Sequence, residues 1–546
     1  MYKNNIKYIL SILQCFFISA VCMQSHADVL ARSILSASDS LRLHEKHSHS
    51  TAGILYDLYS GLVTLNSKGE IEPEIAEQWS TSNDGLSWTF KLREDALWSD
   101  SVPVTAWDFA YAFRRLPASD FRKNSLTSFY RLIKNGSALA QGVLTDQSLL
   151  GVNAVDKYTL QIDLEKPVPD FLYHLTHTEA MPLPEHAYAM YGSDFGRDGK
   201  IINNGPYILE KSYKQTKFVL KKNSKYFGKT NIKFEKVRVI VEDDQNKLLK
   251  MFQAGRLDIV EGFDPRQKKW LKKYRPEIVF EMPANGLIFL IVNSKSKKLN
   301  DIRVRTAMSY ALDTKIIANR IYKSSDPGHC YLPEHLNNDE CPQTQLSDAA
   351  ISSRIEKAKH LIAEAGYTNK KLKVLLYMDE YPGNSYAATA IINMWKRINI
   401  DTVIVSKGVQ SGRSDISLNI WASDGESPDH FIMDFFEMVS QISDHPELKY
   451  YLSQITEHDP HKNLQLFSQL EEMLAAQYYI VPVSSLQWRY LVRDDIAGFD
   501  KPVNGTYPSR WLERKKNEPI DDAMKRPVAL EHDKYSAASS RNYQRH

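Results

Sequence analysis

The segment from Asn203 to Phe227 reads NNGPYILEKSYKQTKFVLKKNSKYF and is the most informative stretch of this sequence. It begins with a turn at Asn204–Pro206, because asparagine, glycine and proline are typical turn residues. A strand, a charged hairpin and a second strand (FVLKKN) follow, and the segment ends at the aromatic pair Tyr226 and Phe227. Nothing in this segment is catalytic, so it predicts an architecture rather than a reaction.

The composition is that of an ordinary globular protein. The chain has 546 residues, which is too many for one hydrophobic core and enough for two or three lobes. Apolar residues make up 43% and charged residues 25%. The net charge of +3 gives no support to nucleic-acid binding, which usually needs a basic stripe.

The N-terminus has the layout of a secretory signal peptide. Lys3 and Lys7 precede an apolar run from Tyr8 to Met23, and Ser25 and Ala27 place small residues before a cleavage site. We expect cleavage after Ala27. The alternative is an uncleaved membrane anchor, but the run is short for a bilayer span, which needs about 20 residues. The sequence therefore predicts an exported, soluble protein.

Two cysteines, Cys330 and Cys341, remain after such cleavage. They lie in a loop-like stretch, and in an oxidising compartment such a pair indicates a disulfide that closes the loop. In the chain-entropy model a ring of this size stabilises a protein by about 2–3 kcal/mol. A metal site is the alternative, although the two cysteines do not have CxxC spacing.

Regularly placed turn and cap residues continue along the chain. Asn83–Gly85 predicts a turn between two strands, and Thr105 is a good N-cap for a helix that starts at Ala106. Further strand and helix-end motifs follow in order: LQIDLEKP at 160–167, FQAGRLDI at 252–259, NDIRVRTAMSYAL at 300–312 and IEKAKHLIAEAGY at 355–367.

These motifs, in this order, resemble those of the bacterial extracellular solute-binding proteins of the peptide class (family 5), the periplasmic oligopeptide- and dipeptide-binding proteins of ABC transporters. The one departure in the N-terminal run is Ser101, where the family usually has glycine. The resemblance implies an α/β fold: a two-lobed periplasmic binding protein of type II, with an extra domain, joined by hinge strands. The implied division is a signal peptide at 1–27, lobe I at 28–283 plus 480–514 with the extra domain at about 60–200, lobe II at 284–479, and a polar C-terminal tail at 515–546.

The resemblance implies a receptor in the periplasm that captures peptides, closes its lobes over them and delivers them to an ABC importer. The expected partners are the peptide and the permease subunits in the inner membrane, and we expect a monomer without a cofactor. The sequence lacks HExxH, GxSxG and GxxxxGK[ST] motifs, so an enzyme is not expected. The alternative of another class is an exported adhesin or chaperone-like protein.

The segment DISLNIWASDGESPDHF at 415–431 resembles the strand and turn with which the family holds the ligand's N-terminus. By this resemblance Asp424 pairs with the α-ammonium group of the peptide, since a desolvated carboxylate needs a cation. Trp421 belongs to the same ligand-binding segment, and the backbone of Ile420 and Ala422 supplies ladder hydrogen bonds. The alternative is that Asp424 is a turn residue capping its own backbone.

The same segment departs from the family at one position. The oligopeptide-binding members carry an arginine three residues before the tryptophan, where this chain has Leu418. The family's cysteine after the tryptophan is Ala422 here, which agrees with a relocated disulfide. The missing arginine leaves the preferred peptide length open.

A histidine cluster forms the second candidate site. The stretch SLRLHEKHSHS at 40–50 has three histidines, and the resemblance puts Ser48 and His49 where the binders present a loop to the ligand. The region His44–His49 could alternatively hold haem or a metal chelate in the same fold. Histidines at such spacing also occur in solvated loops, and the family histidine at His44 is usually structural.

Overall fold

The computed structural model describes residues 29–38, 40–44, 49–116, 128–168, 170–197, 199–213, 216–293, 296–324, 330–333, 350–379, 381–405, 414–423, 431–432, 435, 438, 460–500 and 506–515. Of residues 49, 128 and 460–464 it describes the backbone alone.

A ten-stranded mixed sheet runs through the described residues. Its strands are β1 Val29–Ile34, β8 Tyr207–Ser212, β9 Lys217–Lys222, β10 Lys236–Val241, β11 Ile259–Glu261, β12 Val279–Val292, β13 Leu372–Met378, β14 Ile400–Ile404, β15 Ile416–Ala422 and β16 Ile480–Val492. Their order across the sheet is β14-β13-β15-β12-β16-β11-β1-β10-β9-β8. The two long antiparallel strands β12 and β16 therefore lie in the middle of the sheet, with β13–β15 from the C-terminal half of the chain on one side and β1 and β8–β11 from the N-terminal half on the other.

Three smaller sheets accompany it. Their strands are β2 Val63–Leu65, β3 Ile71–Pro73, β4 Ala76–Thr81, β5 Ser87–Leu92, β6 Val152–Asp156, β7 Thr159–Asp163, β17 Ile496–Ala497 and β18 Glu513–Arg514. The four-stranded antiparallel sheet β4-β5-β7-β6 lies wholly inside the range predicted for the extra domain.

Helices cover the faces of these sheets. They are α1 His49–Leu58, α2 Ala106–Arg115, α3 Ser128–Leu132, α4 Gly136–Ala140, α5 Phe171–His174, α6 Glu185–Tyr191, α7 Gln245–Gln253, α8 Lys268–Tyr274, α9 Ile302–Tyr310, α10 Thr314–Ile316, α11 Ile351–Glu364, α12 Asn384–Lys396 and α13 Pro460–Gln477, with a π-helix at Ile317–Tyr322. Helix α2 begins at Ala106 as predicted, and the backbone N–H and hydroxyl of Thr105 both donate to the Asp108 carboxylate, at 2.8 and 2.9 Å.

The hairpin predicted within the segment Asn203–Phe227 is present. Strands β8 and β9 pair antiparallel, and β9 pairs in turn with β10. The Gly205 N–H donates to the Leu58 carbonyl at 2.8 Å, which fastens the turn to the end of α1. The Tyr226 and Phe227 rings lie 4.3 Å apart between centroids, and the Arg93 guanidinium covers the Phe227 ring.

Ser101 has a backbone conformation that favours glycine, the residue that the family resemblance predicts at this position. Its φ is 80°, in the left-handed region, where a side chain is disfavoured by about 1–2 kcal/mol. The turn closes with hydrogen bonds from Ser101 N–H to the Trp98 carbonyl and from Trp98 N–H to the Val102 carbonyl, both 2.8 Å. Lys225 also donates to the Ser101 hydroxyl. The departure therefore changes the residue and leaves the turn intact.

Four hydrophobic clusters form the core of the described residues. The first belongs to the N-terminal part, with residues such as Leu58, Phe90 and Tyr207, and the fourth packs α7 and α8 against β1 and β11. The second and third lie on either side of β12 and β15. The pairing of β12 with β16 shifts register between Pro283 and Leu287, beside the predicted boundary of lobe II. The division into lobes itself remains a prediction.

The stability of this core depends on pH through the buried carboxyl group of Glu471 on α13. Its carboxylate accepts the Tyr331 N–H at 3.0 Å, and burial raises its pKa to about 7. Because the folded-state pKa exceeds the unfolded value, the folded state favours the protonated form, and this stabilisation is lost as pH rises from about 4.5 through 7. We expect Glu471→Gln to raise the free energy of unfolding at pH 8 by about 2 kcal/mol and to change little at pH 4.5.

Urea unfolding at the two pH values measures this difference. The exposed neighbour Glu472 is the matched control, and Glu472→Gln should have a small effect at both pH values. Equal effects of Glu471→Gln at pH 4.5 and pH 8 would contradict the prediction.

Candidate functional site

The candidate site lies where parallel strands end at one edge of the large sheet. Strand β13 pairs parallel with both β14 and β15, so the carboxyl ends of these three strands meet there. Ligands of α/β sheets usually bind in the crevice outside such strand ends. On one side β15 pairs with β12 as far as Ala422, whereas on the other side its pairing with β13 stops at Leu418.

Beyond Leu418, the side of β15 that faces away from β12 has no paired strand among the described residues, and this side is called the uncovered edge. Ser423 N–H donates to the Asn285 carbonyl of β12 at 2.7 Å, so odd-numbered residues of β15 face β12. The even-numbered residues Ile420 and Ala422 therefore direct their backbone groups away from β12. Among the described residues, none bonds the Ile420 carbonyl or the Ala422 backbone groups across this edge. Such an edge can accept an additional strand.

One donor of this edge is already used. The Ile420 N–H donates to Asp379 Oδ2 at 3.0 Å, and Asp379 N–H donates to the Leu418 carbonyl at 3.0 Å. The Ile420 N–H is therefore occupied, and the predicted ladder hydrogen bond between this residue and the ligand is left to its carbonyl oxygen. Sequence reasoning missed Asp379, although an aspartate directly after an apolar parallel strand, LKVLLYM, is a signal for a residue at the ligand-facing sheet edge.

The predicted contact residue Trp421 packs against the lobe core. Its ring lies 5.1 Å from Phe431 and 5.6 Å from Phe435, centroid to centroid, in edge-to-face geometry. A Cβ at Gly286, on the facing strand, would come within 2.4 Å of the Trp421 carbonyl oxygen. The two strands thus approach closely at the site, and Trp421 is half-buried beside it.

The other predicted residues of this segment are placed as follows. Leu418, at the position of the family's arginine, is fully buried in the second hydrophobic cluster, so this position is part of the core. Asp424 directly follows Ser423 and lies outside the described residues. The ammonium contact of Asp424 stays a prediction.

The histidine cluster is described only at its two ends. His44 is buried, and its Nε2 lies 2.9 Å from the Glu179 carbonyl oxygen, which agrees with a structural role. Ser48 lies outside the described residues, and of His49 only the backbone, at the start of α1, is described. No group of three His, Cys, Asp or Glu residues able to hold a metal occurs within the described ranges.

Charged contacts join the central strands to the π-helix beside the site. Arg489 of β16 donates to the Tyr322 carbonyl at 2.5 Å and pairs with Glu281 of β12 at 3.1 Å. Lys268 of α8 pairs with Glu281 at 3.2 Å and donates to the Lys323 carbonyl at 3.2 Å. Burial opposes ionisation of Glu281, but the surrounding cations outweigh it, so the pKa of Glu281 lies below its usual value.

The sheet with two shared central strands, and with a strand edge that no described residue pairs along, defines a two-lobed α/β binding protein. Residues 70–441 match the family of bacterial extracellular solute-binding proteins, family 5 Middle, and the chain belongs to this family. The chain is thus a solute-binding protein and not an enzyme. No helix among the described residues has both the length and the apolar character needed to cross a membrane.

Two relatives show how closely the chain follows this family. The periplasmic murein peptide-binding protein MppA of Escherichia coli is 29% identical over 454 residues, which are 78% of this chain and 83% of MppA. A solved structure of that murein tripeptide binding protein gives a TM-score of 0.81 at 26% identity, covering 90% of this chain and 99% of the other. The unliganded open form of MppA gives only 0.57 at 26% identity, with 89% and 97% covered.

The second relative was solved with a peptide. The structure of Haemophilus influenzae OppA in complex with RPPGFSPFR gives a TM-score of 0.81 at 25% identity, and it covers 90% of this chain and 99% of the other. The arrangement of this chain is therefore similar to that peptide complex and differs from the open form of MppA.

Proposed function

We propose that this protein is a periplasmic receptor that captures peptides and delivers them to an ABC importer. The backbone edge of β15 at the Ile420 carbonyl and Ala422, along which no described residue pairs, is the observation that carries this proposal. An extended peptide can add to such an edge as a further strand, and main-chain hydrogen bonds then provide affinity with little dependence on sequence. The peptide-binding names of the two relatives support the same ligand class.

In the proposed complex, Asp424 pairs with the ligand's α-ammonium group. Ala422 contributes its N–H and carbonyl to the ladder, and Ile420 contributes its carbonyl. Trp421 lies beside the ligand, and Ser48 and His49 approach it from the N-terminal part. Ligand side chains occupy hydrated pockets, since water can complete hydrogen bonds to many different side chains.

The proposed mechanism is lobe closure about the central strands β12 and β16. Ligand binding shifts an equilibrium between open and closed arrangements, and the permease subunits recognise the closed one. The lower TM-score to the open form of MppA supports two such arrangements in this family. Arg489 and Lys268, which bond the carbonyls of Tyr322 and Lys323, belong to the closed arrangement. The receptor acts as a monomer.

The organisation proposed for the mature protein keeps the predicted boundaries. The signal peptide, residues 1–27, is removed after Ala27, and residues 515–546 form a polar tail. Lobe I comprises 28–283 and 480–514, with the extra domain at about 60–200, and lobe II comprises 284–479. The register shift after Pro283 supports the boundary on β12.

A disulfide between Cys330 and Cys341 is part of the same proposal. Cys330 is half-buried, and Cys341 lies outside the described residues. The next residue, Tyr331, donates its hydroxyl to the Ile480 carbonyl at 2.7 Å, which fixes one end of the loop for pairing. Two cysteines of an exported protein in one loop favour this bond.

Mass spectrometry of the ligands retained by the protein from its periplasm tests the function. We expect denaturation of the wild-type protein to release a set of peptides whose masses differ by amino-acid residues. We expect Asp424→Asn to weaken peptide binding by about 1–3 kcal/mol, roughly 5- to 150-fold, because the ammonium loses its charged partner. Peptide titration of the ligand-depleted proteins measures this loss.

Asp401→Asn is the matched control, because it removes the same charge from an exposed position on β14. It should leave peptide affinity unchanged. A single iron- or metal-containing ligand would instead support the haem or chelate alternative, and the absence of any small ligand would support the adhesin or chaperone alternative. Unchanged affinity in Asp424→Asn would refute the ammonium contact.

A further inference from the structure

Asp379 directly follows the last residue of β13, Met378. Its backbone N–H completes the pairing with Leu418, and its side chain then accepts the Ile420 N–H at 3.0 Å. The Asp379 carboxylate thus accepts the Ile420 N–H, which a residue of an additional strand paired with β15 would otherwise accept. The residue that follows β13 thus caps part of the edge on which the proposed ligand lies.

Buried hydrogen bonds hold the backbone of Asp379 in place. Its carbonyl accepts the Asn384 side-chain amide at 2.9 Å, and the Asn384 amide oxygen accepts the Tyr322 hydroxyl at 2.7 Å. Asn384 and Tyr322 are each 1% exposed, so this chain of hydrogen bonds is inside the protein. The backbone of Asp379, from which the carboxylate reaches Ile420, is therefore held by a buried network.

The direction of the ligand follows from the proposed function, on which this inference rests. In the proposed complex the ligand's ammonium group pairs with Asp424, which follows β15 in the sequence, and the peptide runs back along β15 toward lower residue numbers. In an antiparallel ladder, alternate residues bond to the same neighbour. The first ligand residue then faces Ala422, the second turns its backbone groups away, and the third faces Ile420.

We propose that Asp379 limits what this site accepts at the third residue of the ligand. The third residue's N–H can donate to the Ile420 carbonyl, but its own carbonyl meets an Ile420 N–H that is occupied by Asp379. A C-terminal carboxylate at this residue would also lie next to the Asp379 carboxylate, and like charges at short distance repel each other. The favoured ligands are dipeptides, and longer peptides whose third residue does not end in a carboxylate.

A competition between tripeptide acids and tripeptide amides tests this inference. A randomised tripeptide pool is prepared once with C-terminal carboxylates and once with C-terminal amides, and equal amounts of both are equilibrated with the full mature chain. Chromatography with mass spectrometry then counts the released ligands. We expect the wild-type protein to retain the amides at least tenfold over the acids, since the amide donates a hydrogen bond where the carboxylate is repelled.

Asp379→Asn should lower this ratio to about threefold or less, because asparagine keeps an oxygen acceptor for Ile420 and loses the charge. Asp379→Ser, with a shorter acceptor, should act in the same direction if asparagine disturbs folding. Asp401→Asn, which removes a charge far from Ile420 on β14, should keep the wild-type ratio.

The outcomes separate the two proposals. An amide-to-acid ratio that is the same in Asp379→Asn and in the wild-type protein would overturn the role of Asp379 while peptide capture stands. Retention of neither tripeptide pool nor a dipeptide pool by the wild-type protein would overturn peptide capture itself.

Discussion

Arg510→Met is expected to lower the free energy of unfolding by about 3–5 kcal/mol, because it leaves a buried carboxylate without its cation. Arg510 and Glu74 are both buried and form an ion pair. The same guanidinium donates to the carbonyls of Tyr56 and Tyr59 at 3.0 and 3.3 Å. Methionine fills part of the volume but replaces neither the charge nor these hydrogen bonds.

Urea unfolding of the mature protein measures this effect, and Arg197→Met provides the control. Arg197 pairs with Asp194 at 3.0 Å, but its side chain is 66% exposed, so its loss should change stability by about 1 kcal/mol or less. A second replacement, Glu74→Gln in the Arg510→Met background, should recover part of the stability, since it removes the isolated charge. Equal losses in the Arg510 and Arg197 variants would contradict the buried ion pair.

The Glu74–Arg510 pair is a contact that the sequence alone could not predict. The hairpin at β8 and β9 and the start of α2 at Ala106 could be predicted, because turn residues, alternation and an N-cap act within a few residues. Glu74 and Arg510 are separated by 436 positions, and nothing near either residue indicates its partner. Only the folded chain brings the C-terminal segment back against the end of α1, where Ser509 also donates to Asp57 at 2.6 Å.

The candidate site was predictable to a similar extent. The resemblance of the segment around Trp421 led to β15, and the structure has the strand at Ile416–Ala422 with an uncovered edge. The resemblance could not reveal that Asp379, 41 positions before Ile420, accepts the Ile420 N–H at that edge. The bonding of Ile420 depends on where β13 stops relative to β15, and that register is set by packing of the whole lobe rather than by local sequence.

The second large effect on stability is expected at Gly205, in the turn at Asn204–Pro206. Gly205→Ala should lower the free energy of unfolding by about 2–3 kcal/mol, because overpacking a tight contact forces the surrounding backbone to shift. A Cβ at this position would lie 2.4 Å from the Leu58 carbonyl carbon and 2.6 Å from the Tyr59 nitrogen. These are backbone atoms, which cannot rotate aside as a side chain could.

Hydrogen bonds on both sides keep this contact closed. The Gly205 N–H donates to Leu58, and the Gly205 carbonyl accepts the Asn223 side-chain amide at 2.9 Å. Gly53→Ala, within α1, is the control of opposite expected sign: its Cβ would meet nothing closer than 3.5 Å, and alanine stabilises a helix interior by up to about 1 kcal/mol relative to glycine. Urea unfolding of both variants decides the matter, since a Gly205→Ala protein as stable as Gly53→Ala would mean that the turn does not need glycine to reach the end of α1.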